Sequence, residues 1–331
     1  MKFFARLPMN LRVAAAFLAV GSVWGSAWIP IAALSQSLPG LAAGVLRFGL
    51  AAVVLALAAA VAGIRTPSER RPHPAKLLGP SMLLGVTMLG LPYALTFWAA
   101  DHVSPGVVAL CFGFMPLPAL LMEDDEAGGG AIPAMVLGIG GVAMVVAPGL
   151  GFSWLQIPGI AALFGAVVLG GFSLVYVRRL YAQGRLENRG LLSFSAIQLG
   201  VASVFLALVA AATGQMAGPH RDSAAALPLA VLAIVVSGGT LPLLYWMLGR
   251  ITSWQAATLQ WAATLVAVAE AVLKLGVKPG LEGWIGAILI PACTFQLFAM
   301  ERGEGMGAVT PQITKHTFPS RKASDTGEKS R

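Results

Sequence analysis

Charge is scarce in this 331-residue chain: Asp, Glu, Lys and Arg supply 11% of it, against 57% hydrophobic residues. Soluble domains carry about 25% charged residues, so the polar surface needed to cover a buried core is missing. Cysteine is nearly absent too. Cys111 and Cys293 lie in separate apolar runs with no thiol or imidazole at ligand spacing, which excludes a disulfide framework and a cysteine metal site. The histidines, His73, His102, His220 and His316, all fall between the runs or in the tail. No metal centre or nucleophile pair can be built on imidazole inside the runs, and no cofactor is expected.

What the chain has instead is apolar length. Its mean hydropathy is +0.79, concentrated in runs near 13–34, 41–63, 77–100, 104–122, 131–148, 156–177, 191–213, 226–248, 254–275 and 283–300. Helices of about 20 residues cross a bilayer. The runs are continuous and not alternating, and in lipid each backbone N–H and C=O must pair within its own segment, so they predict helices and not a barrel. The expected fold is an all-α, polytopic membrane protein with ten transmembrane helices. Lys2, Arg6 and Arg12 before the first run imitate a secretory signal, but that run exceeds a signal core and nine more follow.

Basic residues orient the spans, because basic loops resist translocation. With residues 1–12 in the cytoplasm, the inner segments hold Lys2, Arg6, Arg12, Arg65, Arg70, Arg71, Lys76, Arg178, Arg179, Arg185, Arg189 and Arg250. The outer ones hold Arg221 and Lys278, with Lys274 at a span end. Both termini are therefore expected inside. The formal charge of +8 follows from this bias, and its partner is anionic lipid and not nucleic acid. Residues 301–331 are polar, lack apolar periodicity and are expected to be disordered.

A weak internal repeat joins the two halves. Residues 96–110 lie over 245–259, each an aromatic span end, a short turn reaching Ser104 or Ser253, and a helix of small residues. The first turn carries Asp101 and the second Arg250, as expected if one turn faces opposite sides of the membrane. Five spans per half is an odd number, so the second copy must be inverted.

Trp24-Gly25-Ser26, Arg47-Phe48, the Pro92 to Leu110 stretch, Pro116, Gly141-Val142 and Gln198 occur in this order within the ten spans. In this the chain resembles EamA-type members of the drug/metabolite transporter superfamily, over roughly residues 13 to 300. The resemblance implies two inverted five-helix repeats, 13–148 and 156–300, joined by a loop at 149–155. It implies a multi-pass protein of the cell membrane, the inner membrane in a bacterium, that exports small metabolites or amino-acid-like solutes through a central cavity by alternating access. Protons are the candidate coupling ion, and oligomeric state stays open. The family usually ends its fourth and ninth spans with a glutamate after a Leu-Gly pair. Here Glu126 lacks that pair, and the second half reads Leu275-Gly276-Val277, without the carboxylate.

Few side chains are candidates for carrying function. Arg47, two turns from the outer end of span two, either snorkels outward or attracts an anionic group of the substrate. Glu270 and Lys274 stand i, i+4 in acid-first order. They either neutralise each other, or Glu270 replaces the glutamate missing at Val277 and exchanges a proton. Trp24, Tyr93, Gln260 and Trp261 lie deep in their spans and are expected either to line a cavity or to pack the core. Trp28, Trp98, Tyr245 and Trp246, nearer span ends, are expected at the interfaces. Pro92, Pro116, Pro118, Pro242 and Pro291 are expected to interrupt helices. The rival class is an Mg-dependent enzyme acting on a phosphorylated lipid through Glu123-Asp124-Asp125-Glu126, but a second acidic cluster is missing and the run reads more simply as a solvated loop. A passive channel is a third class, and no ring-forming selectivity motif is evident. The expectation is therefore a transporter and not an enzyme.

Overall fold

A computed structural model describes residues 8–64, 74–123, 128–150, 153–216 and 223–303. Lys2, Arg6, Arg65, Arg70, Arg71, His73, Asp124 to Glu126, His220, Arg221 and the tail from residue 304 lie outside them. Among the described residues there is helix and no strand. Nine helices among the described residues are long and apolar enough to span: α1 Met9–Ser35, α2 Gly40–Gly63, α3 Leu77–Ala100, α4 Pro105–Met122, α6 Trp154–Ala182, α7 Leu191–Ala212, α8 Ala226–Leu248, α9 Ser253–Lys274 and α10 Leu281–Met300. The shorter apolar helix α5, Gly130–Val146, completes the expected ten.

Helix α2 lies along α7 and α5 along α10. Helix α1 packs on α9 as α4 packs on α6, α3 packs on α6 as α8 packs on α1, and α7 meets α3 as α2 meets α8. Exchanging each helix for the one five later maps this set of pairs onto itself. Hydrocarbon supplies no hydrophobic drive between helices, so close backbone approach must hold them. A Cβ on Gly25 would lie 2.5 Å from the Ala263 carbonyl oxygen, and one on Gly286 would lie 2.4 Å from that of Gly141.

Two spans contain widened π turns, Gly85–Gly90 in α3 and Val231–Gly239 in α8. With Ser104 laid over Ser253, Gly90 falls on Gly239, so both turns end at the same place. Each precedes a Leu-Pro pair, Leu91-Pro92 and Leu241-Pro242. A proline ring clashes with the carbonyl four residues back, and here that carbonyl, of Met88 or Gly238, sits inside the widened turn and is moved aside. Helix α4 breaks at Phe114 and Met115, just before Pro116, and α9 breaks at Thr258. Pro291 departs from expectation: it stands inside the unbroken helix Leu281–Gly303. Cys111 and Cys293 are buried and unpaired.

Candidate functional site

One group of buried polar side chains gathers at the two widened turns, and another at the start of α9. Ser237, within the α8 turn, accepts from Arg47 Nε at 2.8 Å, and Thr240, just after it, accepts from Trp24 Nε1 at 2.9 Å. In the α3 turn, Thr87 shares a 3.1 Å hydrogen bond with Ser173 of α6. Trp24 and Ser173 coincide in the same overlay, and Thr87 lies about one turn before Leu91, the residue that overlays Thr240, so the α1–α8 and α3–α6 links join counterpart helices one turn out of register. The Tyr245 hydroxyl is directed at the Gln198 Oε1 atom and at Met88 Sδ, 3.2 Å away. A polar group in hydrocarbon needs a partner, and each such bond contributes on the order of 1 kcal/mol.

Arg47 is 7% exposed. Its guanidinium carbon lies 5.4 Å from the Phe48 ring centroid and 5.6 Å from that of Tyr93. Phe48 and Tyr93 meet edge to face at 4.9 Å, and Phe97 continues the wall 5.9 Å from Tyr93. Of the sequence candidates, Trp24, Arg47 and Tyr93 thus share one neighbourhood between α1, α2, α3 and α8. An open groove of about 350 Å³ between α1 and α8 runs beside it, lined by Val20, Val23, Ile234, Val235, Thr240 and Leu243 among others.

Trp261 is placed elsewhere. It is fully buried, donates Nε1 to the Gly113 carbonyl at 2.7 Å, and lays its ring against Gly138. The face of α9 that meets α1 carries Leu259, Ala262, Ala263 and Val266, so Trp261 points away from Trp24 and toward α4 and α5. Gln260 is half-buried, and its amide makes no hydrogen bond among the described residues. Tyr245 is wholly buried beneath Gln198, a correction to its expected place at an interface, whereas Trp28 and Trp98 are half-exposed.

Glu270 joins two helices: its Oε1 accepts from Ser26 of α1 at 2.8 Å and lies 3.5 Å from Lys274 Nζ. The lysine side chain is 58% exposed, so its attraction is weak in water or headgroups. Lys274→Met should lower the melting temperature in nanodiscs by no more than about 2 °C. The Glu270→Gln, Lys274→Met double variant should melt with Glu270→Gln alone. A double variant clearly more stable than Glu270→Gln would restore mutual neutralisation as the main role.

At the opposite end of α9, sequence reasoning missed a junction. Glu123 pairs with Arg178 Nε at 2.6 Å and accepts from the Ser253 backbone N–H at 2.8 Å and from Ser253 Oγ at 3.3 Å. The run expected to be solvated therefore begins with a nearly buried carboxylate that joins α4, α6 and the start of α9. The signal for it was Thr252-Ser253-Trp254-Gln255, a capping box that marks a helix start needing acceptors. Arg178 also donates to the Ile251 carbonyl, Arg179 to that of Met122 at 3.2 Å, and Arg250 lies 4.1 Å from the Trp246 ring centroid. Arg12 acts electrostatically on Arg250, whose pKa is lowered chiefly by burial. Four basic residues thus collect at one end of the bundle. Among the described residues, no three His, Cys, Asp or Glu side chains cluster as a metal site would need.

Fold and polar layer together define a polytopic helical membrane protein whose halves are tied by hydrogen bonds near mid-span. The model of the EamA-like transporter family matches residues 11–124 and 157–298, and the chain belongs to that family, within the drug/metabolite transporter superfamily. No curated protein matches the sequence. Among solved structures, one described only as the crystal structure of a protein is similar with a TM-score of 0.68 at 18% identity, covering 88% of this chain and 98% of its own. That likeness speaks to the fold alone.

Proposed function

We propose that this protein is a secondary transporter that exports small metabolites or amino-acid-like solutes by alternating access. Two five-helix halves, 13–148 and 156–300, would be inserted in opposite senses, with protons as the coupling ion. The observation that carries the reading is the equivalent placement of the widened turns, each beside a link between counterpart helices, Trp24 to Thr240 and Thr87 to Ser173. Each link joins a helix of one half to a helix of the other through a single exchangeable hydrogen bond. The end that gathers Arg12, Arg178, Arg179 and Arg250 is the cytoplasmic one, by the basic-loop rule. The enzyme reading loses its first ligand, because Glu123 is engaged by Arg178 and Ser253.

Counterflow in liposomes, with labelled amino acids, organic acids and other metabolites, tests the proposal. At least one solute should exchange well above protein-free liposomes, and a proton gradient should change its accumulation but not its exchange. Chemical alteration of an added lipid, with no solute exchanged, would replace the transporter by the enzyme.

A further inference from the structure

We propose that Arg47 is the counter-charge for a carboxylate on the transported solute, so that the substrate is a small organic monoanion with an apolar body. This rests on the transporter reading above and narrows its substrate class.

Arg47 stands inside α2 and is more than nine-tenths buried. Its single hydrogen bond runs from Nε to the neutral Ser237 hydroxyl. Among the described residues no carboxylate lies within ion-pair distance of it, and its two terminal nitrogens carry no hydrogen bond yet are not sealed from open space. The Tyr93 ring lies beside it, and the hydroxyl of that residue also lacks a partner among the described residues and is likewise not sealed. A buried cation persists only when something neutralises it. Among the described residues the protein offers free donors and a positive charge here but no anion, which describes half of a site.

The shape of the missing half follows from the groups around it. A guanidinium with its terminal nitrogens free presents a planar fork that matches a carboxylate through two parallel hydrogen bonds. One cation balances one negative charge, so a monoanion fits better than a phosphate dianion. Phe48 is fully buried, but the half-buried Tyr93 ring beside the guanidinium, continued by half-buried Phe97, leaves an apolar surface there, and this suits a hydrocarbon or aromatic body. Among the described residues, the two carboxylates that face other helices are already engaged and do not await an ammonium: Glu270 by Ser26 and Lys274, and Glu123 by Arg178 and Ser253. The site therefore favours a carboxylate over the corresponding zwitterion.

The test compares benzoate and hexanoate with benzamide and hexanamide, which keep the body and lose the charge. Thermal unfolding of the full chain in nanodiscs reads binding, and liposome counterflow reads transport. The carboxylates should raise the melting temperature of the unaltered protein at concentrations at least tenfold below those at which the amides act. Arg47→Met should abolish that difference, and Arg47→Lys, which keeps the charge but not the fork, should weaken carboxylate binding about tenfold. Ligand-free Arg47→Met should melt no lower than the unaltered protein, because an uncompensated buried cation has been removed. A purely structural guanidinium would give the reverse. Equal response of the unaltered protein to carboxylates and amides overturns the proposal without recourse to any variant, as does a carboxylate response that survives in Arg47→Met. Counterflow of amides as fast as carboxylates would sink this inference and leave the transporter standing. Failure of every solute to exchange, with an Arg47-dependent response to benzoate retained, would sink the transporter and leave the anion site.

Discussion

Glu123→Ala should destabilise the folded protein by about 3 kcal/mol, toward the low end of what breaking a buried ion pair costs. At least three contacts go at once: the pair with Arg178, and the hydrogen bonds from the Ser253 N–H and hydroxyl. Arg178 is 30% exposed and keeps the Ile251 carbonyl, so solvent recovers part of its loss. The first turn of α9 loses an acceptor for an orphan N–H, worth about 1 kcal/mol by itself. Arg178→Met should cost less, because Glu123 still receives both Ser253 donors. Equilibrium unfolding in nanodiscs of both single variants and the double should give a coupling of about 1–2 kcal/mol. Additive losses would mean that the carboxylate and the guanidinium are neighbours without being partners.

The other large effect falls on Trp261. Trp261→Ala should remove about 3–5 kcal/mol of stability, because the ring fills the space over Gly138 and its N–H leaves the Gly113 carbonyl unpaired. Gly138→Val should act similarly from the other side, since a Cβ there would stand 2.3 Å from a ring atom that has no room to retreat. The folded fraction recovered by size-exclusion chromatography should fall sharply in both. Transport per folded molecule should change little, and combining Trp261→Ala with Gly138→Leu should recover part of the loss by refilling the void. Transport that falls while the folded fraction holds would return Trp261 to the list of cavity residues.

The fate of Trp261 shows where sequence reading runs out. Run length fixes where helices cross, since hydrocarbon thickness permits few alternatives, and the ten spans were legible to within a few residues. Which way a side chain on such a helix points is written much more faintly, because a span that is apolar all round has no polar face to reveal its orientation. Gln260 and Trp261 are adjacent in sequence, yet an α-helix turns them about 100° apart; one carries an unpartnered amide and the other is sealed in packing. The prolines at 92 and 242 signalled an irregularity, but the widening lies upstream of them, where the carbonyl they would strike is located. Glu123 was hidden by its company: the three acids that follow it made the run look like solvent-facing loop, and its partners are remote in sequence. Arg47 was the opposite case, a charge so out of place that composition alone singled it out.

The length of α6 reaches beyond the protein. Its 29 residues rise about 43 Å, well past a hydrocarbon layer about 30 Å thick. Phe164 and Val168 are exposed on α6, so lipid meets this long helix directly. A helix longer than the layer is accommodated by tilting or by thickening the lipid around it, at a cost of fractions of a kcal/mol per Å, and the length of the surrounding acyl chains thereby becomes a mechanical input to how the bundle sits.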